Sequence, residues 1–145
     1  MTAGTLSAQY ELVKVVTDRQ SLMFDMQAAY WVLLDVKNDN STDLAAAADA
    51  AQTMNDTIDA FAELLLPGTA QGEVPGSRAK PEVWTEAAEF GLAAETFKAA
   101  TAGLSDTAKS GDLDAFKVQF EVMAQACTGC HDFRPSRGGR FRHER

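Results

Sequence analysis

Apolar residues recur three and four positions apart along nearly the whole chain, the spacing of one helix face after another, and no stretch alternates as a strand would. The pattern predicts a first helix from about Leu6 to Lys37, with a stripe of Leu6, Val13, Val16, Gln20, Met23, Gln27, Tyr30, Trp31 and Leu34. Asn38 to Asn40 ends it, and Ser41 or Thr42 can cap the next helix by accepting from its free amides. That second helix carries Leu44, Ala47, Ala51, Met54, Ile58, Phe61 and Leu65, and stops at Leu66-Pro67-Gly68.

Residues Pro67 to Lys80, with two prolines and three glycines, read as the one long loop. Pro81 suits the first turn of a third helix, where its missing N–H costs nothing, and Trp84, Ala88, Gly91, Phe97 and Leu104 follow on one side. Lys109-Ser110-Gly111 is a short turn, and Asp112 is a good N-cap for a fourth helix bearing Leu113, Phe116, Phe120, Met123 and Cys127. One long and two short connections between four helices imply an all-α, antiparallel four-helix bundle, a single domain over residues 1–134.

Composition narrows the function. A formal charge of −8 disfavours nucleic acid as a partner, because phosphates demand a basic surface. No apolar run approaches the roughly 20 residues that span a bilayer. Met1 to Ser7 shows no secretory signal. From Pro135 onward Arg137, Arg140, Arg142 and Arg145 face only Glu144, so residues 135–145 read as a flexible, Arg-rich tail. Such a tail is either without a role or an electrostatic dock for an acidic partner. No Ser/His/acid set and no phosphate-binding glycine loop appears, and acids such as Glu86 and Glu89 stand at solvated helix spacing, so no enzyme is expected.

The chemistry is concentrated in Cys127-Thr128-Gly129-Cys130-His131, the C-x-x-C-H form of covalent haem attachment. Positions three and four apart share a helix face, so two thiols and an imidazole converge. The thiols can form thioethers with haem vinyl groups while the imidazole reaches iron from the same side. Other readings are weaker. A structural zinc site needs about four ligands, and beyond these three only His143 remains. A thioredoxin-like pair would follow a strand, which the pattern lacks. The last alternative is a helical interaction module in which the motif is incidental.

The sequence resembles the cytochrome c′ family, including its low-spin relatives of the c-556 type, from about Val13 to Arg134. The likeness rests on Arg19-Gln20 followed by Met23, Pro67-Gly68-Thr69, Lys80-Pro81-Glu82-Val83-Trp84, and Cys127 to Arg134. A haem motif at the C-terminal end of a bundle is its specific part. The resemblance implies one haem c per chain held by Cys127 and Cys130, with His131 as the axial iron ligand. It implies Arg19, Gln20 and Arg134 at the haem edge, with Arg19 near a propionate and Arg134 beside the histidine. Arg78 also falls near that edge.

The resemblance puts Met23 on the distal side, with Met26 as second choice; Met54 and Met123 read as core. Ligation by Met23 would make a six-coordinate site suited to electron transfer, whereas a Met23 that only packs would leave iron open to NO or CO. The implied protein is a periplasmic mono-haem one-electron carrier working with redox partner proteins, the alternative being a gas-binding haem protein. Relatives include homodimers and monomers. Where many relatives bend after the position of Met26, this chain continues through Tyr30-Trp31-Val32-Leu33-Leu34, so Tyr30 and Trp31 are either core or an interface anchor.

Overall fold

The computed structural model describes residues 3–131 and 138–143. Five helices occur among them: α1 (Ala3–Lys37), α2 (Leu44–Glu63), the single turn α3 (Glu82–Thr85), α4 (Ala87–Ser110) and α5 (Leu113–Cys127). α1, α2, α4 and α5 form the four-helix bundle, and the only β pairing among the described residues is a bridge between Ala79 and Arg142.

Two departures from the sequence pattern lie at helix starts. The cap of α2 is Asp43, whose carboxylate accepts from the Ala46 amide at 2.9 Å, while Ser41 accepts from Asp43 N one step earlier at 3.1 Å. Short polar side chains so close together compete for the same amides, and backbone geometry chose the third. The expected third helix is broken at Glu86 (φ −118°, ψ 46°), which closes α3 and opens α4. Its carboxylate is engaged by Arg140, far away in sequence and invisible to periodicity. Gly91 and Ala88 are consequently exposed, and the buried face of α4 begins at Phe97. Asp112 caps α5 as expected, accepting from Ala115 N at 2.9 Å after Gly111 ends α4 in the left-handed region (φ 78°).

Contacts along the helices set the register. Lys98 bonds Asp59, Asn55 reaches the Lys98 carbonyl and Thr101, and Ser105 reaches the Ala48 carbonyl, so α2 and α4 run antiparallel. Gln119 donates to Ala100 O while Gly129 lies against Ala93, so α4 and α5 do too. Leu33, Met54, Leu104, Phe116 and Met123 are sealed in the core where these faces meet. Each such side chain contributes about 1.5–3 kcal/mol of burial.

α1 packs along α2 but meets α5 only narrowly. At one end Tyr30 rests on the Phe120 ring (centroids 5.6 Å apart), Lys37 pairs with Glu121 at 2.9 Å, and Asp39 beyond the helix pairs with Lys117. Towards the other end Met23 and Cys127 both pack against the common core, and Cys127 lies close enough to Tyr30 to act on its hydroxyl electrostatically. Tyr30 is half-buried against α5, whereas Trp31 is 55% exposed beside it, so the two adjacent aromatics divide between core and surface. Among the described residues no helix is long and apolar enough to cross a membrane.

Candidate functional site

Cys127 ends α5, and the chain continues as one further turn: Cys130 N and His131 N both donate to Cys127 O at 3.3 Å. That shared acceptor is the i, i+3, i+4 relation the motif predicts, and it holds the three side chains in a single turn. The two sulfurs are not bonded to each other, and Cys127 Sγ lies 3.9 Å from Met123 Sδ on the core side. Gly129, just past α5, sits close to its own preceding turn and to α4: a Cβ there would stand 3.2 Å from the Ala126 carbonyl and 3.4 Å from the Ala93 methyl. A shallow groove lined by Ala93, Thr96, Val122, Gln125 and Gly129 runs along this outer side and includes neither cysteine.

Burial raises both thiols. Cys127 is pushed up to about 12, by burial first and by neighbouring Cys130 second, and Cys130 up to about 11 by burial. Such thiols stay neutral at physiological pH, which does not suit a thiolate redox pair. Among the described residues no three His, Cys, Asp or Glu side chains gather where they could hold a metal ion. The donor set instead suits a group that brings its own metal and takes sulfur covalently.

The register places Met23 opposite this turn. Met23 lies seven residues before Tyr30 on α1, and Cys127 seven residues after Phe120 on α5. Seven residues are two turns, so each keeps the face of its partner in the Tyr30–Phe120 contact and stands about 10 Å beyond it. Because α1 and α5 run antiparallel, both displacements point the same way. Met23 and Cys127 therefore stand at the same level of the bundle on facing helices, both packed against the core. Met23 is half-buried there, while Met26 is 9% exposed and packs in the core. Met54 and Met123 are core as expected.

Arg19 is 3% exposed, one helical turn before Met23. Its Nη1 donates to Thr69 Oγ1, and its Nη2 to Thr69 O and Ser77 Oγ, each at 2.7 Å. Gln20, exposed, donates to Gly76 O at 2.8 Å. Both residues thus fasten the 67–80 loop onto α1. Among the described residues no carboxylate joins Arg19, and desolvation alone draws its pKa down. A buried cation with only neutral acceptors is costly, and an anion brought by a ligand would relieve it. Arg78 is half-buried on the same loop, and its carbonyl accepts from His143 N at 2.9 Å. Arg134 lies outside the described residues.

Residues 138–143 depart from the expected flexible tail: they lie against the loop and α4, with Phe141 3% exposed. Residues 135–137, 144 and 145 lie outside the described set. The sequence reading placed Thr69 and Lys80 only within the motifs of the family resemblance and Glu86 on a solvated helix face, and it singled out neither Ser77 nor Phe141. The available signal was Phe141, the one large apolar residue after Pro135.

Fold and motif together define a helical-bundle protein that carries a covalent haem-attachment turn at the end of its last helix. A family model described as Cytochrome C′ matches residues 14–134, and the chain belongs to that family. Members carry one covalently bound haem c per chain, and cytochrome c′ is itself a standard example of the up-down-up-down bundle. Cytochrome c′ of Rubrivivax gelatinosus is 44% identical over 66 residues, 46% of this chain and 50% of that protein. The match to cytochrome c′ of Alcaligenes xylosoxydans xylosoxydans, 37% identical, likewise spans about half that relative's length, 48%. Cytochrome c-556 of Rhodopseudomonas palustris is 29% identical over 142 residues, 95% of this chain and 92% of that one.

Among solved structures, cytochrome c′ of Rubrivivax gelatinosus superposes with a TM-score of 0.75 at 27% identity, over 91% of this chain and 97% of that one. A carbon monoxide-bound variant of the Alcaligenes xylosoxidans protein gives 0.74 at 25%, over 90% and 94%. A nitric oxide complex of another variant gives 0.75 at 25%, over 91% and 95%.

Proposed function

We propose that this chain is a periplasmic mono-haem cytochrome that carries one electron, without enzymatic activity, with His131 and Met23 as the two axial ligands. The observation that supports it is the register: Met23 stands level with Cys127 on the facing helix, half-buried against the core between the buried Arg19 and Met26. Bound there, haem c supplies a one-electron iron couple, and the chain sets its surroundings. Cys127 and Cys130 hold the group by thioethers. His131 presents an imidazole from the same turn, and Met23 a soft thioether from the facing helix. Arg19, already ordered by Thr69 and Ser77, offers positive charge to a propionate, and Gln20 stands beside it at the surface. Apolar packing around Met123 and Phe120 keeps water from the sulfurs and lowers the local dielectric. The compartment follows from the chemistry, since haem c is attached outside the cytoplasmic membrane.

A gas-binding reading has its own support: two of the structural neighbours are carbon monoxide and nitric oxide complexes. In that reading Met23 packs over an open position and the same pocket admits small diatomics. Visible spectra of the oxidised, reduced and CO-treated protein separate the two. A sharp, split α/β pair in the reduced protein that CO leaves unchanged supports the carrier; a broad high-spin spectrum that CO alters overturns it in favour of gas binding.

A further inference from the structure

Beyond the motif the chain returns to it. Phe141 N donates to Cys130 O at 3.1 Å, Lys80 N donates to Phe141 O at 3.0 Å, and His143 N to Arg78 O at 2.9 Å. Residues Ala79 and Arg142 pair as a short antiparallel bridge. Lys80 Nζ donates to Gly139 O at 2.6 Å, and Arg140 engages Glu86 through Nε at 3.0 Å and Nη2 at 2.8 Å. The Phe141 ring is buried edge-on against Phe90, centroids 5.2 Å apart, with the Arg140 guanidinium 5.2 Å from its centroid.

The position of the first of these bonds matters most. Cys130 C=O and His131 N–H belong to one peptide plane. Its N–H side is tied back to Cys127 O, and its C=O side is tied forward to Phe141 N. A helix leaves its final carbonyls without intrahelical partners, and water would normally take this one. Here a strand-like segment takes it, and that segment is held by a buried aromatic ring. A peptide plane fixed at both ends fixes the direction in which the His131 side chain leaves the backbone.

We infer that residues 138–143 form a strap that orients the axial His131, with Phe141 as the positioning residue. The anchor is apolar: the ring fills the space beside Phe90, and its burial holds the neighbouring amide at Cys130 O. Lys80, Arg140 and the Ala79–Arg142 bridge fix the strap's course over the loop. The inference rests on haem attachment at Cys127, Cys130 and His131, and is independent of whether Met23 ligates.

The test is Phe141→Ala in the haem-loaded protein, with haem content measured by pyridine haemochrome so that loss of the group is seen separately. In the oxidised protein, the paramagnetically shifted ring signals of His131 move, exchange of the His131 and Phe141 amides accelerates at least about tenfold, and the reduction potential shifts. Phe141→Leu, which keeps an apolar anchor, restores most of each change. Unchanged His131 signals and potential in a folded, loaded Phe141→Ala protein overturn the inference, even if its melting temperature falls. Should that variant fail to fold, Phe141→Val shortens the apolar anchor but keeps part of it. Smaller shifts of the same His131 signals with faster exchange of the Phe141 amide support the inference, and unchanged His131 signals and potential in the folded, loaded protein overturn it.

Discussion

Arg19 grips Thr69 twice across 50 residues of chain, Nη1 on the side-chain hydroxyl and Nη2 on the backbone carbonyl, both at 2.7 Å. Ser77 completes the set, and its hydroxyl also donates to Thr69 O at 2.6 Å. One buried guanidinium therefore sets the course of the long loop over α1. Lysine cannot reproduce the fork, since it has one donor atom where arginine uses two. Arg19→Lys is expected to lower stability by about 2–3 kcal/mol, the cost of stranding buried acceptors, and Arg19→Ala by somewhat more. Urea unfolding followed by helix circular dichroism measures this, and a loss below about 0.5 kcal/mol would place Arg19 among ordinary surface cations.

Met23→Leu separates ligand from packing. Leucine matches methionine in volume, so the fold should lose less than about 1.5 kcal/mol. With Met23 on iron, the variant becomes high-spin, binds CO in the reduced state, and its reduction potential falls by roughly 0.1 V or more, within the ~0.8 V that axial ligands span. A variant spectrum matching the parent's would remove Met23 from the coordination sphere.

Gly129 lets the haem-binding turn close tightly on the end of α5, with Ala93 of α4 beside it. A Cβ at 3.2 Å from a backbone carbonyl can be met only by a shift of the turn. Gly129→Val should cost about 1–3 kcal/mol, the usual range for overpacking. Thermal melting of the haem-loaded protein checks this, and an unchanged midpoint would contradict the close approach.

In chain prepared without haem, the two thiols are buried and neutral, with Cys127 at about 12 and Cys130 at about 11 against an ordinary 9.0. A folded-state pKa raised in this way means that the associated stability is fully present below the ordinary value. It is lost as pH climbs from about 9 towards 11–12, because the unfolded chain releases its protons first. Urea midpoints of the haem-free chain should therefore fall through that window, while the thioether-linked protein, having no thiol to ionise, lacks this contribution. At pH 8, alkylation by iodoacetamide should be at least about tenfold slower than in urea-unfolded chain. Equal rates would show an exposed motif.

Much of this was legible from spacing alone. The apolar stripes of α1, α2 and α5 gave their extents to within a few residues, Asp112 announced its cap, and Cys127, Cys130 and His131 announced their own convergence, because all three signals are local. The break at Glu86 was hidden, and Arg140, which pairs with its carboxylate, comes 54 positions later. The Tyr30–Trp31 pair looked like one decision and became two, because adjacent residues on a helix point about 100° apart and only one can face α5.

What the sequence by itself determined is the set of helices and the covalent haem turn, both written in intervals of three and four residues. What the tertiary structure decided is everything that depends on which face meets which: Met23 level with Cys127, Arg19 bonded into the loop, and the last residues folded back through Phe141 onto Cys130. A helix face is encoded every few residues, whereas a hydrogen bond between positions 130 and 141, or 19 and 69, exists only once the chain between them has been packed. Neither residue of such a pair carries a mark of the other.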